Sequence, residues 1–286
     1  MGLRIQNNIE AFNTHRQLTA TGNAASKSME KLSSGYRINR AADDAAGLGI
    51  SEKMRGQIGG LAQAQRNAQD GISLVQTAEG ALSEVHSMLE RVRDLKVQFN
   101  NGTLDANDKS AIGAEVLEIA KEVKDILDDT KFNGKTLFGT GDTFKFQVGA
   151  NQGETIDIAA ASLGNDSSTG GLSNLTQLAG AAMTVSDAVS ALATNNMSVI
   201  SDLDKMIENV SKQRGTYGAV QNRLEHRLAN LATYQENLTA SESRIRDVDM
   251  ASEMTKFTKL NILQQAGTSM LAQANQAPQG VLSLLR

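Results

Sequence analysis

Apolar positions in this chain recur at alternating three- and four-residue steps over most of its length, the spacing that keeps one face of an α-helix against a partner. The longest run is Leu61, Ala64, Ala68, Gly71, Val75, Ala78, Leu82, Val85, Leu89 and Val92, which Phe99 rejoins. It predicts about 60 Å of helix at 1.5 Å per residue, ended by Asn100, Asn101 and Gly102. A shorter helix to about Thr130 follows, with Ile112, Val116, Ile119, Val123 and Ile126 on one face, and the short loop makes the two antiparallel neighbours. A second long seam runs through Ile200, Leu203, Ile207, Val210, Tyr217, Leu224, Leu228, Leu231, Leu238 and Ile245. Arg214, Gln221, Gln235 and Glu242 interrupt it; polar residues on a seam cost stability but fix register.

Residues 3–34 predict an amphipathic helix with Ile5, Ile9 and Phe12, then Ala25, Met29 and Leu32, on helical stripes. Gly35 suits the position just past its end, and residues 35–42 are a connector. Asp43 and Asp44 open the next helical stretch, where carboxylates accept from free backbone N–H groups. Period-two alternation occurs only at Phe144, Phe146, Val148 and at Ile156, Ile158, which predicts a β-hairpin with a longer loop. Residues 159–185, rich in Ala, Ser, Gly, Thr and Asn, are expected to be an exposed excursion, with helix resuming near Val185. The pattern is therefore mainly α: a long coiled-coil-like assembly of both chain ends around a small β-hairpin excursion, with the terminal helices paired.

The last stretch differs from the rest. Residues 260–285 carry no charge, yet seven side-chain amides sit among the apolar residues. One seam reads Leu260, Leu263, Gly267, Met270, Ala274, Ala277, Val281, Leu284, and Ile262, Leu271, Leu282 and Leu285 lie off it. A single partner helix would leave the second set in water, so the composition asks for neighbours on several sides. The length would span a membrane, but amides left unsatisfied in hydrocarbon argue against that. Pro278 lacks an N–H and is expected to kink or end the helix.

Composition narrows the function. Aromatics are only 3 % of the chain, with one proline and no cysteine or tryptophan among 286 residues, which favours long helices over an aromatic-anchored enzyme core. A net charge of −4 provides no field for nucleic acid or an anionic membrane, and neither is expected as a partner. The N-terminus has no continuous apolar core or small-residue cleavage site, so no secretory signal peptide is expected. His15, His86 and His226 are far apart, so no metal or other cofactor is expected. Asp43-Asp44 and Asp128-Asp129 point about 100° apart on a helix, which suits helix ends rather than acid–base catalysis. No pattern indicates an enzyme.

Residues 29–54 (MEKLSSGYRINRAADDAAGLGISEKM) and 67–82 (NAQDGISLVQTAEGAL) resemble the N-terminal signature of bacterial flagellin. Residues 240–250 (ASESRIRDVDM) and 262–286 (ILQQAGTSMLAQANQAPQGVLSLLR) resemble its C-terminal signature. The resemblance implies a self-assembling subunit of the flagellar filament, exported without a cleaved signal to the extracellular flagellum, its terminal helices folding on polymerisation. It implies an inner-tube domain from residues 1–42 with 244–286, a rod domain from 43–243 with the short excursion 140–185, and no separate outer domain. The polymer interface would include Ile5, Ile9, Phe12, Leu260, Leu263, Met270, Leu271, Val281, Leu284 and Leu285. Implied partners are copies of itself, the export chaperone at the C-terminal region, and filament cap and hook-junction proteins. By matching position, Arg91, Leu95 and Glu115 would meet the host innate immune receptor for flagellin. The alternative within the family is the hook–filament junction protein.

Overall fold

The computed structural model describes residues 8–138, 143–160, 173–179, 184–194 and 200–284. In chain order these form α1 (Ile9–Ser34), α2 (Ala45–Phe99), α3 (Ala106–Asp129), β1 (Lys131–Phe132), β2 (Lys135–Thr136), β3 (Thr143–Gln147), β4 (Thr155–Ala159), α4 (Ser173–Leu178), α5 (Val185–Thr194), α6 (Ile200–Arg246) and α7 (Met250–Leu284). The fold is mainly α, with two small antiparallel strand pairs among the described residues. Two units divide it: a terminal unit of residues 1–58 and 236–286, and a central unit of residues 59–235.

In the central unit the expected α2 seam is the core. Ala68, Val75, Ala78, Leu82, Val85, Leu89 and Val92 are fully buried, and Leu203, Val210 and Leu224 of α6 are equally enclosed. α6 runs antiparallel to α2, and two of its seam breaks, Arg214 and Gln235, are matched by side chains of α2. Arg214 Nη2 lies 2.7 Å from Glu79 Oε1, Gln65 Nε2 donates to Gln235 Oε1 at 2.8 Å, and Arg93 Nε donates to Asp204 Oδ1 at 2.6 Å. These half-buried and exposed pairs hold the register that the apolar spacing alone leaves degenerate.

α3 starts with a capping box: Asp105 accepts from the N–H groups of Asn107 and Asp108, and Asp108 accepts from the Asp105 N–H. Its buried face centres on Ile112, Val116, Ala120, Val123 and Leu127, with Ile119 and Ile126 half-buried beside it. The expected hairpin is β3–β4, pairing Phe144 with Ile158 and Phe146 with Ile156. Asn67 Nδ2 donates to Gln147 O at 3.0 Å and Arg227 Nε to Val148 O at 3.2 Å, so α2 and α6 both hold its loop end.

Three differences from the sequence reading have physical causes. β1–β2 was not anticipated; Asn133 and Gly134 both adopt positive φ (49° and 79°), the two-residue turn whose twist suits a hairpin. Of the stretch expected as an exposed excursion, residues 161–172 and 180–183 lie outside the described residues, and the described part contributes to the core. Leu175 and Leu178 of α4 are buried, because two leucines three residues apart on one helical turn suffice to anchor a short helix against α3. Finally, of the two outcomes expected at Pro278, a kink or a helix end, the end does not occur: α7 continues to Leu284. A proline removes one intrahelical hydrogen bond, and the turns on either side keep theirs.

Lys96 occupies the α2 seam at 2 % exposure, where an apolar residue would be expected. Its Nζ donates to Leu192 O, one of the last carbonyls of α5, and lies 5.4 Å from the Phe99 ring centroid. Burial pushes this ammonium below the usual lysine range. The cation thus satisfies a helix C-terminus that lacks intrahelical donors.

Candidate assembly surface

The terminal unit is built on α1 paired antiparallel with α7. Asn8 caps α1 by accepting from the Ala11 N–H at 3.1 Å, and its Nδ2 donates to Ala274 O at 2.7 Å. Gly267 faces Leu18; a Cβ on it would lie 3.1 Å from the leucine Cδ1, so its lack of a side chain sets the helix separation. Farther along, the Ser28 hydroxyl donates to the Glu253 carboxylate, both residues being buried. That hydrogen bond, followed by Lys256 at 3.2 Å, holds the Glu253 carboxyl below its ordinary value despite the opposing effect of burial.

Where α1 stops, Gly35 takes φ 77° and its N–H reaches Lys31 O at 2.9 Å, closing the helix. A single antiparallel bridge then joins Tyr36 to Asp247, with the Arg37 N–H donating to Arg246 O at 2.6 Å and the Val248 N–H to Gly35 O at 3.0 Å. Arg246 stacks over the Tyr36 ring at 4.8 Å and bonds Glu52 at 2.6 Å. Asp44 accepts from the Gly47 N–H at 2.9 Å, the helix-opening role expected of it. The Arg40 and Asn39 N–H groups hold the Asp43 carboxyl low in turn.

The inner face of α7 comprises Glu253, Phe257, Leu260, Gly267, Leu271 and Ala274, all buried or half-buried. Leu263 and Met270, expected on the same seam, point elsewhere and are 46 % and 57 % exposed. On α1, Ala11, Leu18, Ala25 and Ser28 face inward, whereas Ile9 and Phe12 are 55 % and 72 % exposed. Of the eleven exposed large apolar residues among those described, nine belong to the terminal unit: Ile9, Phe12, Met29, Ile50, Met250, Met254, Ile262, Leu263 and Met270. Each helix therefore meets its partner through small and polar residues and a few half-buried larger ones, Leu18, Phe257, Leu260 and Leu271, and leaves Ile9, Phe12, Leu263 and Met270 uncovered. Ile5 and Leu285 lie outside the described residues, as do the side chains of Val281 and Leu284.

Arg91, Leu95 and Glu115 come together in the central unit. Arg91 donates through Nε and Nη2 to Glu115 Oε1 at 2.8 and 2.6 Å, joining α2 to α3, and Leu95, one turn on from Arg91, is buried at 2 % exposure. Among the described residues no cluster of three or more His, Cys, Asp or Glu side chains is placed to hold a metal ion. His86 Nε2 lies 3.3 Å from Glu90, and His226 borders a cleft of about 450 Å³ between the β3–β4 loop and α6, with Arg223, Arg227 and Glu154. No helix among the described residues is long and apolar enough to cross a membrane.

Comparison with known proteins matches two family descriptions: the bacterial flagellin N-terminal helical region over residues 5–143 and the bacterial flagellin C-terminal helical region over residues 200–285. The chain is 53 % identical to a flagellin of Halalkalibacterium halodurans across 99 % of both chains. It is 49 % identical to a flagellin of Bacillus subtilis across 99 % of this chain and all of that one. Among solved structures, one described as a flagellar hook-associated protein of Vibrio parahaemolyticus superposes with TM-score 0.56 over 72 % of this chain and 100 % of that one. At 16 % identity it shares the fold alone.

Proposed function

The chain belongs to the bacterial flagellin family and is a structural subunit of the flagellar filament, and from that premise we propose how its ends build the polymer. The nine exposed apolar residues of the terminal unit carry the reading. At about 25 cal/mol per Å² of apolar surface removed from water, side chains such as Phe12 and Met270 stabilise a site where several copies of the α1–α7 pair meet. These residues, with Ile9, Leu263 and their continuation through Ile5, Val281, Leu284 and Leu285, form the polymer interface. Leu260 and Leu271 act one layer in, holding α7 to α1. The amides of α7 contribute hydrogen bonds between copies without requiring hydrocarbon around them.

In the monomer the same surface is a liability. The α1–α7 pair buries few large apolar side chains, so it is the part of the fold that orders last, on addition of the chain to the filament end. Before that step the export chaperone covers the apolar face of α7, and cap and hook-junction proteins meet the same surface at the two filament ends. The subunit is secreted to the extracellular flagellum. Its role is mechanical and involves no catalytic step. Residues 1–42 with 244–286 act as the inner tube and residues 43–243 as the surrounding rod, with no separate outer domain. A host innate immune receptor meets Arg91 and Glu115 as an ion pair on released monomer, with Leu95 supporting them from the core.

Leu263→Asp and Met270→Asp test the interface. Each places a charge where neighbouring copies would bury it, at a cost of several kcal/mol, while the isolated chain keeps the residue in water. Elongation of wild-type filament seeds, followed by light scattering, is expected to stop in both variants with unfolding of the soluble chain unchanged. Wild-type elongation by either variant would contradict the interface.

A further inference from the structure

Two faces of the central unit carry opposite charge, and the pairing of the terminal helices uses neither. On α3, Glu115, Glu118, Glu122, Asp125 and Asp129 follow alternating three- and four-residue steps, so they form one stripe; all five are exposed, and the lysines of this stretch, Lys121 and Lys124, lie beside the stripe, bonded to Glu118 and Asp128. The stripe is about 21 Å long at 1.5 Å per residue. α3 holds seven acidic residues against three lysines, an excess equal to the net −4 of the whole chain. On α6 the stripe through Lys205, Lys212, Arg223 and His226 has the same spacing, is exposed at each of these positions, and passes only Asn, Thr and Ala between them.

The ends of these stripes are partly engaged: Glu115 with Arg91, Glu118 with Lys121, Asp129 with Lys131 and Lys205 with Asp202. The side chains of Glu122 and Asp125 in the acidic stripe, and of Lys212, Arg223 and His226 in the basic one, have no hydrogen-bond or ion-pair partner among the described residues. Both helices run antiparallel to α2 and meet it at one level, through Arg91–Glu115 and Arg93–Asp204. The acidic and basic stripes therefore run in the same direction and begin at the same height. A second copy placed alongside in the same orientation brings the acidic stripe of one against the basic stripe of the other. A contact between two different faces, repeated with a rotation that does not close a ring, propagates as an open helix, which is the symmetry of a filament.

We propose that the α3 acidic stripe of one copy docks along the α6 basic stripe of its lateral neighbour, toward the cleft bordered by Arg223 and His226. The pairing rests on the filament reading and adds to it the residues that orient the central units. Charge complementarity of this kind sets register and rate of encounter more than raw affinity, a fitting division of labour with the apolar terminal interface.

Charge reversal tests it in the full-length chain, read as elongation of seeds sheared from wild-type filaments. The variant carrying Glu122→Lys and Asp125→Lys, and the one carrying Lys212→Glu and Arg223→Glu, each elongate about tenfold more slowly or not at all, since like charges then face each other. Combining all four substitutions in one chain restores elongation of seeds prepared from that same combined chain to within about threefold of wild type on its own seeds, as expected for a swapped pair. Either reversed chain elongating at the wild-type rate, or a combined variant no better than its parents, overturns the pairing while leaving the filament reading standing. Wild-type chains that fail to extend the seeds overturn both. Should a reversed chain lose helicity by circular dichroism, the neutral variants Asp125→Asn and Arg223→Gln take its place, and each must slow elongation for the pairing to stand.

Discussion

Glu253 shows how a single side chain couples the terminal pair to solution conditions. Its carboxylate is buried against Ser28, and this hydrogen bond holds its pKa below the ordinary value of 4.5. A depressed folded-state pKa means the contribution to stability is present above the unfolded value and is lost as pH falls through the folded one. The α1–α7 pair should therefore loosen below about pH 4.5. Glu253→Gln keeps an acceptor for Ser28 but cannot titrate, so it should flatten that part of the profile, measured as helicity of the assembled chain against pH. An unchanged profile in the variant would remove Glu253 from the account. Leu271 supplies a complementary contrast. It is half-buried on α7, so Leu271→Asp should destabilise the α1–α7 pair itself, whereas Leu263→Asp should spare it. Hydrogen exchange of the α1 amides within filaments copolymerised with excess wild-type chain distinguishes the two.

Among the elements, legibility followed contrast between apolar and polar positions. α2, α3 and α6 alternate buried apolar residues with charged ones, and their seams were readable from Leu61 to Phe99 and along α6 almost without error. α7 offers no such contrast. Two registers one residue apart, one through Leu263 and Met270 and one through Leu271, share Leu260, Gly267 and Ala274. The folded helix takes the second because Gly267 and Ala274 allow α1 to approach and Leu271 continues that line. Nothing in spacing alone breaks this tie; the choice depends on Leu18 and Asn8 across the interface, more than two hundred residues away. Lys96 was illegible for the opposite reason, since its partner is a backbone carbonyl of α5 that no side-chain pattern reveals. The same division sets two expectations. Leu82→Ala, at the centre of the α2 seam and fully buried, should cost the central unit about 2–5 kcal/mol in chemical denaturation. Amides of α1 and α7 should exchange quickly in the monomer and slowly in the filament; equal protection in both states would contradict ordering on assembly.

At the scale of the whole molecule, the chain divides its work between a unit that is complete alone and one that is not. The central unit buries its seams and matches its polar seam positions with specific partners, and its outward faces are charged. The terminal unit pairs α1 with α7 largely through small and polar contacts and leaves nine large apolar residues exposed. Family membership was readable from the signatures at both ends. The intrachain partners separate the interface residues named from the sequence into those that α1–α7 pairing half-buries, Leu260 and Leu271, and those it leaves exposed, Ile9, Phe12, Leu263 and Met270. The most direct test removes residues 245–286, which deletes α7, and examines seeded full-length and truncated chains by negative-stain electron microscopy. The account predicts filaments from the full-length chain and a soluble, helical monomer from the truncated one; intact filaments of the truncated chain would contradict it.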